Sequence, residues 1–303
     1  MRLIYVAGKG GVGKSVCSAS TALWSAGQGK ETLVFSMDPA HSLSDILESE
    51  LGDSPAMIGQ HLSAYEPSVE KEARIFFSRY RHMFNALFSL FEVEVRPQDM
   101  AQFPGVAEMV FMDRLYDVYM EGMYEVVVID SAPTAMVLPL LQLPAVTTGL
   151  VSRMLGIKNK WMGLLNMLEP GFGDSIVSEA RRLRIKAETM RNALLDKSTA
   201  SLTVVTIPEK AAVMETVRLI ETVESHGVTV DSMIINHVLG GDCQCQFCRR
   251  KRDSQADHMA TLKRMYAEKR IACLLDQGGE VRGSTLDSVA QELYGQGQLR
   301  LEP

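Results

Sequence analysis

The sequence predicts an α/β fold, in which a doubly wound, mostly parallel sheet carries helices on both faces and a helical insertion subdomain. Three observations lead to this prediction. Short aliphatic runs typical of buried strands alternate along the chain with amphipathic stretches of helical spacing. A glycine-rich loop separates the first predicted strand from the first predicted helix. Several strands end in a polar or acidic residue, and open α/β sheets bind their ligands at these strand ends.

Residues 8–15, GKGGVGKS, match the phosphate-binding pattern G-x-x-x-x-G-K-[ST] of P-loop NTPases. A predicted strand at residues 3–7 precedes this loop, and a predicted helix at residues 16–26 follows it. Glycines let successive backbone N–H groups face a polyphosphate, and the helix N-terminus adds partial positive charge. Lys14 is expected to reach the β- and γ-phosphates, while the Ser15 hydroxyl ligates Mg²⁺. The residues predicted to hold ATP here are Gly8, Lys9, Gly10, Gly11, Val12, Gly13, Lys14 and Ser15.

Two aspartates follow predicted strands. Asp130 follows the four aliphatic residues 126–129 and is predicted to act on Mg²⁺ directly or through water. Asp38 follows the predicted strand at residues 31–36, where it could orient or deprotonate the attacking water. The alternative for Asp38 is a carboxylate that caps a turn, and taken alone its position favours neither interpretation.

Further strands are predicted at residues 61–66, 201–207, 230–235 and 270–275. Helices are predicted at residues 70–91, 178–195 and 211–226, with another ending near residue 121 and a closing helix around residues 286–293. We therefore predict a single P-loop ATPase domain over residues 1–303. It carries helical insertions, for client binding or as a lid, at about residues 67–121 and 145–200.

The composition excludes several classes of function. The 303 residues are 46% hydrophobic and 22% charged, which is typical of a globular protein with one large core. The net charge of -6 and the pI of about 5.6 argue against general nucleic-acid binding. No apolar run is long enough to cross a bilayer, so we expect no stable membrane insertion. Because the chain enters a predicted strand at once, no signal peptide is expected either.

Five cysteines, an odd count, favour metal or redox chemistry in a reducing cytoplasm over a disulfide scaffold. Cys245 and Cys248 form a C-x-x-C pair, which can chelate one Zn²⁺ but fills only half of a tetrahedral site. Cys243 is one candidate for a third ligand, and the pair of a second copy in a symmetric dimer is another source. A redox-active or idle pair is the alternative to zinc. Cys17 and Cys273 are expected to be buried in a helix and a strand.

Together these motifs resemble one known family, the arsenite-pump and tail-anchored-protein-targeting ATPases. Residues 9–15, KGGVGKS, are similar to the family's deviant Walker A loop, and residues 38–45, DPAHSLSD, are similar to its switch I segment. Residues 130–134, DSAPT, resemble its switch II, and residues 279–283, GEVRG, resemble its adenine loop. The C-x-x-C pair favours the single-domain targeting branch. The resemblance covers nearly the whole chain and implies a SIMIBI-type P-loop NTPase fold.

The resemblance implies roles for residues around the phosphates. Lys9 would reach across a dimer interface and neutralise transition-state charge on the partner's nucleotide. Asp38 would be the catalytic residue that positions water, and Pro133 would lie in switch II beside the nucleotide. Two positions depart from the family pattern: Ser42 stands where asparagine is frequent, and Met136 replaces a switch II histidine.

The resemblance also implies an adenine site and a metal site. Asn236 would hydrogen-bond adenine, because an amide can donate and accept at once, and a turn-forming asparagine is the alternative. Glu280 and Arg282 would lie in the adenine loop. Cys245 and Cys248 would bind Zn²⁺ together with the same pair of the partner chain.

The sequence therefore predicts a Mg²⁺-dependent ATPase that works as a homodimeric nucleotide switch. In the branch that it resembles, such a dimer binds the hydrophobic transmembrane helix of a client for membrane targeting. Ten of the 18 methionines lie between Met83 and Met167, which suits an adaptable apolar groove. A plain helical lid is equally compatible with that region.

The alternative function is the catalytic ATPase subunit of an arsenite or anion efflux system, with a membrane pump subunit as partner. That function needs two ATPase halves and soft-ligand cysteines in the helical region. This chain has one half and no cysteine between Cys17 and Cys243, which favours the targeting function. A partitioning ATPase on DNA is a third hypothesis, and the sequence lacks the basic run that it needs beyond residues 249–252.

Overall fold

The computed structural model describes residues 1–38, 42–91, 105–131, 149, 172–241 and 245–301. The chain divides into two compact units. The first, here the sheet unit, comprises Met1–Pro67, Gly122–Val137 and Leu194–Pro303. The second, here the helical unit, comprises Ser68–Glu121 and Leu138–Ala193. All residues predicted to bind nucleotide belong to the sheet unit.

The sheet unit is built on one eight-stranded sheet with the strand order β3-β4-β2-β5-β1-β6-β7-β8. The strands are β1 Arg2–Gly8, β2 Thr32–Ser36, β3 Ala56–Gly59, β4 Leu62–Tyr65, β5 Val126–Asp130, β6 Ala200–Thr206, β7 Val230–Val238 and β8 Arg270–Leu275. Neighbouring strands are parallel except β3 and β4, which are antiparallel. Because β1 lies between β5 and β6, the chain adds strands to both sides of it. The doubly wound, mostly parallel fold is confirmed.

The described helices, numbered in chain order, are α1 Lys14–Gly27, α2 Leu43–Leu47, α3 Val69–Arg79, α4 Arg81–Phe91, α5 Val106–Glu121, α6 Phe172–Leu195, α7 Lys210–Ser225, α8 Gln246–Met265 and α9 Thr285–Ala290. A π-helical turn, Gln291–Gly295, continues α9. The helical unit contains α3, α4, α5 and nearly all of α6. Among the described helices, none is both long enough and apolar enough to cross a membrane.

The central strands are apolar along their length because the protein covers both of their faces. Every residue of β5 is buried, and four aliphatic residues precede Asp130. Ile4 and Val6 of β1 and Val128 of β5 share one core with residues of α1 and α9. Val6 is paired in register with Asp130. This packing places the phosphate loop after β1 next to the acidic end of β5.

The prediction of one continuous helix over residues 70–91 is wrong. The structure has two helices, α3 and α4, separated at Tyr80, whose φ of -117° and ψ of 29° leave the helical region. The Tyr80 ring still lies 4.8 Å from the Phe76 ring, centroid to centroid, and its hydroxyl donates to Asp113. Because the buried face continues through the break, apolar spacing alone did not reveal it.

Two elements of the sheet unit were not predicted. The edge strand β3 is four residues long and only half-buried, so it has little apolar signal. Helix α2 is five residues long and begins with one buried residue, Leu43. The other predicted strands and helices are present, with ends that differ by a few residues.

The helical unit contains a buried charge cluster formed by Arg79, Tyr80, Asp113, Asp117 and Lys186. The Lys186 ammonium lies 2.8 Å from Asp113 and 2.7 Å from Asp117, and Arg79 contacts both carboxylates. The Tyr80 hydroxyl donates to Asp113 at 2.7 Å. Since these residues come from α3, α5, α6 and the residue after α3, the cluster joins three helices of this unit.

Candidate nucleotide-binding site

Glycines shape the loop between β1 and α1. Gly13 precedes α1 with φ +92°, a conformation that glycine adopts at little cost. A Cβ atom on Gly13 would lie 2.3 Å from the Asn236 amide nitrogen. A Cβ atom on Gly8 would lie 2.2 Å from the carbonyl oxygen of Val205 in β6. Larger residues at either position would therefore displace the loop or its neighbours.

Lys14 opens α1 and is buried, with its ammonium donating to the carbonyl oxygen of Lys9 at 3.2 Å. Burial lowers the pKa of Lys14, and the negative charges of Asp130 and Asp38 oppose that shift. The side chain thus folds back over its own loop, so its charge lies inside the turn where phosphate oxygens are predicted to bind.

Asp130 is fully buried at the end of β5. Ser18 of α1 donates to one of its carboxylate oxygens at 3.2 Å, while the other oxygen, Oδ2, has no hydrogen-bond partner among the described residues. Burial raises the pKa of Asp130 to about 6, against the opposing effects of the nearby Ser15 and Ser18 hydroxyls and of the Lys14 charge. A buried carboxylate oxygen without a donor is a suitable ligand for a divalent cation or its water.

Ser15 and Asp130 therefore fit a Mg²⁺ ion, with hydroxyl and carboxylate oxygens of the kind that this cation prefers. When bound with ATP, Mg²⁺ supplies positive charge to the β- and γ-phosphate oxygens. The protein contributes the buried site, the Lys14 charge and the backbone of the loop. Ser15 is held by α1 and Asp130 by β5, the strand that pairs with β1.

Asp38 follows β2 next to Asp130, because β2 and β5 are neighbours in the sheet. Its backbone N–H donates to the Ser36 hydroxyl at 3.3 Å, which fixes the chain direction as it leaves the strand. The negative charge of its carboxylate opposes the lowering of the Lys14 pKa by burial. Residues 39–41 of the switch I segment lie outside the described residues.

Ser42 resumes the switch I segment on the far side of that gap. Its hydroxyl oxygen lies 2.9 Å from the Ser15 hydroxyl oxygen. Leu43 and Ser44 then begin α2, and their backbone N–H groups donate to Glu66 at 2.7 and 3.1 Å. The segment is thus attached to the phosphate loop at one point and to the residue after β4 at another.

Lys9 forms an ion pair within its own chain. Its ammonium lies 3.1 Å from the Glu215 carboxylate of α7, and both side chains are about two-fifths exposed. The pair is weak at such exposure, typically worth about 0–1 kcal/mol. The Lys9 ammonium is therefore directed toward the surface of its own chain.

Asn236 lies near the end of β7 and contacts the phosphate loop. Its amide nitrogen donates to the carbonyl oxygen of Val12 at 2.9 Å, and its amide oxygen accepts from the N–H of His237 at 2.8 Å. The side chain is buried. Its predicted hydrogen bond to adenine stays a prediction, and these contacts join β7 to the loop.

The predicted adenine loop meets the end of α2. The Gly283 N–H donates to the carbonyl oxygen of Ile46 at 2.9 Å. Arg282 lies 3.4 Å from Glu48 and 3.9 Å from Glu280, and all three side chains are more than half exposed. Helix α2 therefore connects the Ser15 end of the site to the loop that holds Glu280 and Arg282.

Three predicted features lie outside the described residues: Pro133, Met136 and Cys243. The same holds for much of the insertion predicted at residues 145–200.

Cys245 and Cys248 lie at the start of α8, where the Cys248 N–H donates to the Cys245 sulfur at 3.2 Å. Within the described part of the chain, no group of three or more metal-binding side chains forms. The pair offers two sulfurs and hence half of a tetrahedral zinc site. Cys17 is buried in α1, as predicted, whereas Cys273 in β8 is only half-buried.

Three residues of the site were missed by sequence reasoning: Ser18, Glu66 and Glu215. Ser18 stands three residues after Ser15, so helical spacing could have placed it on the same face. Glu66 is the last residue of the strand predicted at residues 61–66, and an acidic residue at a strand end is the signal that identified Asp130. No sequence signal distinguished Glu215 from other charged residues of an amphipathic helix.

The sequence profile of anion-transporting ATPases matches residues 1–295. The chain belongs to the anion-transporting ATPase family. As a member of this family it is an ATP hydrolase, and the family resemblance inferred from the motifs is confirmed.

Proteins similar to this anion-transporting ATPase family member carry two kinds of name. ATPase ASNA1 homolog 2 of Paramecium tetraurelia is 27% identical over 93% of this chain and 90% of its own length. ATPase GET3 of Phaeosphaeria nodorum is 28% identical over 93% of this chain and 91% of its own. A provisionally named arsenical pump-driving ATPase 2 of Aquifex aeolicus is 27% identical over 93% of this chain and 95% of its own length.

Proposed function

We propose that this ATPase is a Mg²⁺-dependent, homodimeric nucleotide switch that binds hydrophobic transmembrane segments of client proteins for membrane targeting. The observation that carries the nucleotide part is the Oδ2 oxygen of buried Asp130, which lies beside Ser15 and Lys14 and has no hydrogen-bond partner within the described part of the chain. A cation between this oxygen and the Ser15 hydroxyl would satisfy both groups. Asp38, at the adjacent strand end, would position the attacking water.

The position of Lys9 supports the homodimer. Its ammonium rests on Glu215 at the surface of its own chain and leaves the interior of the loop to Lys14. The Lys9 side chain can exchange its contact with Glu215 for a contact with a second copy at little cost in free energy, because an exposed ion pair is weak. In the dimer Lys9 would neutralise charge on the partner's phosphates, as an arginine finger does in other NTPases.

The geometry of the cysteine pair supports a shared zinc site. Cys245 is the N-cap residue of α8 and Cys248 lies in its first turn, and the Cys248 N–H donates to the Cys245 sulfur. Two copies related by two-fold symmetry would supply four sulfurs and close the site.

The helical unit is the proposed client-binding part. It exposes three large apolar side chains on its described helices: Ile75, Met120 and Ile185, with 52, 59 and 47% of their surfaces accessible. Exposed apolar residues of this kind suit helix-in-groove binding, and a lid is the alternative. The family resemblance and the GET3 and ASNA1 relatives favour targeting. A cytoplasmic location is part of the proposal and is based on the cysteine usage.

A second candidate is an ATPase subunit for arsenite efflux, with a membrane pump as partner. The Aquifex aeolicus relative favours it by its name. The absence of cysteine from residues 18–242 argues against a soft-metal effector site in the helical segments.

Capture of a client peptide tests the proposal. A tail-anchored transmembrane peptide is co-purified with the protein in the presence and absence of ATP and Mg²⁺. Asp38→Asn should bind ATP, lose turnover and retain the peptide, because the ATP state persists. Lys14→Ala should lose nucleotide binding and ATP-dependent capture. Asp257→Asn, an exposed carboxylate on α8, is the matched control and should behave as the unchanged protein.

The same experiment distinguishes the two functions. A peptide with charged residues in its apolar segment should not be captured. Stimulation of ATP hydrolysis by arsenite, with no capture of the apolar peptide, would favour the efflux function instead. Normal turnover in Asp38→Asn would contradict the role assigned to Asp38.

A further inference from the structure

Ser42 occupies the N-cap position of α2 without capping it. Serine is among the best N-cap residues because its hydroxyl accepts from the exposed N–H groups of the first turn. Here the Ser42 side chain makes no such bond, although its carbonyl oxygen accepts from Ile46 and begins the helix. Its hydroxyl instead lies 2.9 Å from that of Ser15. The Ser42 side chain therefore contacts Ser15, the last residue of the phosphate loop, instead of capping α2.

Glu66 performs the capping that Ser42 leaves undone. It is buried, and its two oxygens accept from the backbone N–H groups of Leu43 and Ser44 at 2.7 and 3.1 Å, while the Ser44 hydroxyl donates to it as well. A carboxylate that accepts several hydrogen bonds at a helix N-terminus is held firmly, because hydrogen bonds to a carboxylate are among the strong ones in proteins. Glu66 thus fixes the first turn of α2 and, with it, the position of Ser42.

The contact between the two hydroxyls has a consequence for metal binding. A serine hydroxyl has one proton and two lone pairs. When the Ser15 oxygen ligates a cation, its proton needs an acceptor, and the Ser42 oxygen is within hydrogen-bond distance of it. Partners that accept from a ligand orient its lone pair toward the metal and strengthen the bond.

We propose that Ser42 and Glu66 are positioning residues for the metal end of the nucleotide site: Ser42 orients the Ser15 hydroxyl, and Glu66 holds Ser42 in place. The inference depends on the Mg²⁺-dependent nucleotide binding proposed above. It assigns a function to the serine at a position where the family frequently has asparagine. It also places a residue beyond the switch I segment, after β4, in control of the metal site.

The test measures the Mg²⁺ concentration needed for tight binding of a fluorescent ADP analogue, with an arm in EDTA. Ser42→Ala should raise the Mg²⁺ midpoint by about fivefold, because it removes one hydrogen bond to a ligand. Binding in EDTA should change less than about twofold, since no metal is then ligated. Ser42→Thr keeps the hydroxyl and should restore the midpoint.

Glu66→Ala should raise the midpoint in the same direction as Ser42→Ala. The double variant should shift it by no more than Glu66→Ala alone, because both residues act through one hydroxyl contact. Glu66→Gln, which keeps one carbonyl oxygen, serves if the alanine variant does not fold. The matched controls are Ser49→Ala and Glu125→Ala. The Ser49 hydroxyl donates to the carbonyl oxygen of Leu47 at the other end of α2, and the Glu125 carboxylate accepts from the Glu31 N–H at the opposite ends of the strands β2 and β5.

The Ser15→Ala variant distinguishes a failure of the Ser42 inference from a failure of the proposed metal site. If Ser15→Ala raises the midpoint and Ser42→Ala does not, the inference is overturned and the proposed function stands. If neither variant changes the midpoint, the metal site itself is wrong. Equal shifts for Ser42→Ala and Ser49→Ala would show a general effect of α2 and would also overturn the inference.

Discussion

At the residue scale, Asp130 is a carboxylate whose ionisation the fold resists. It has no accessible surface, and its pKa rises from 3.8 to about 6 because burial penalises the charged form. A raised pKa means that the folded chain binds a proton more tightly than the unfolded chain. The associated stability is therefore complete below pH 3.8 and is lost as the pH rises through about 6.

We predict that Asp130→Asn stabilises the metal-free protein at neutral pH relative to the unchanged chain. The difference in unfolding free energy should grow by about 3 kcal/mol between about pH 4 and pH 7.5, because the amide has no charge to desolvate. Urea denaturation in EDTA at several pH values measures it. Asp45→Asn, at an exposed position, should show a change below about 0.5 kcal/mol. A difference for Asp130→Asn that does not vary with pH would contradict the pKa assignment.

At the scale of elements, the buried charge cluster determines how α3, α5 and α6 fit together. Asp113 is 4% and Lys186 is 6% exposed, and neither charge has solvent to compensate it if its partners are removed. The polar groups of the cluster are paired by hydrogen bonds and ion pairs between side chains that come from three helices. Buried charge pairs of this kind specify an arrangement more than they stabilise it.

We predict that Asp113→Asn destabilises the protein by about 3–5 kcal/mol, because it leaves the buried Lys186 charge without this carboxylate. Thermal and urea denaturation measure the loss. Adding Lys186→Met should recover part of the stability, since the second change removes a stranded charge. Glu188→Gln, in the exposed pair with Arg184, is the control and should cost less than about 1 kcal/mol. Additive losses in the double variant would contradict the assigned coupling.

At the scale of the whole molecule, the site lies along neighbouring strand ends of one sheet. Glu66 follows β4, Asp38 follows β2 and Asp130 ends β5. These three strands are adjacent in that order, and the phosphate loop follows β1 beside them. The cysteine pair lies elsewhere, at the start of α8. If two copies share a zinc ion, the assembly and the metal content depend on each other.

We predict one zinc ion for every two chains and a dimeric mass in solution. Replacing Cys245 and Cys248 with serine should remove the zinc and weaken the dimer, because four thiolates close a tetrahedral site. Metal analysis combined with light scattering measures both. Cys273→Ser, in β8, is the control and should change neither. A monomer that retains one zinc ion per chain would contradict the shared site.

The fold could be predicted well from the sequence because its signals are local. The pattern GKGGVGKS fixed a strand, a turn and a helix within about 25 residues. Aliphatic runs such as the one before Asp130 identified the buried strands. The break at Tyr80 was missed because the apolar face continues through it, and β3 was missed because an exposed edge strand carries little pattern.

The candidate site could be predicted in part. Lys14, Ser15, Asp38 and Asp130 follow from motifs, since a motif states which chemical group stands beside a phosphate. The contacts of Ser42 with Ser15, of Glu66 with α2 and of Lys9 with Glu215 connect residues that are 22 to 206 positions apart.

By itself, the sequence determined the family, the ATPase chemistry and the alternation of strands with helices. Backbone propensity, apolar spacing and the phosphate-loop pattern all act over a few neighbouring residues. Only the tertiary structure decided which strand ends are adjacent, and hence that Glu66 caps α2 and that Ser42 lies against Ser15. Those choices depend on strand order and on burial against distant residues, and short stretches of sequence do not encode either.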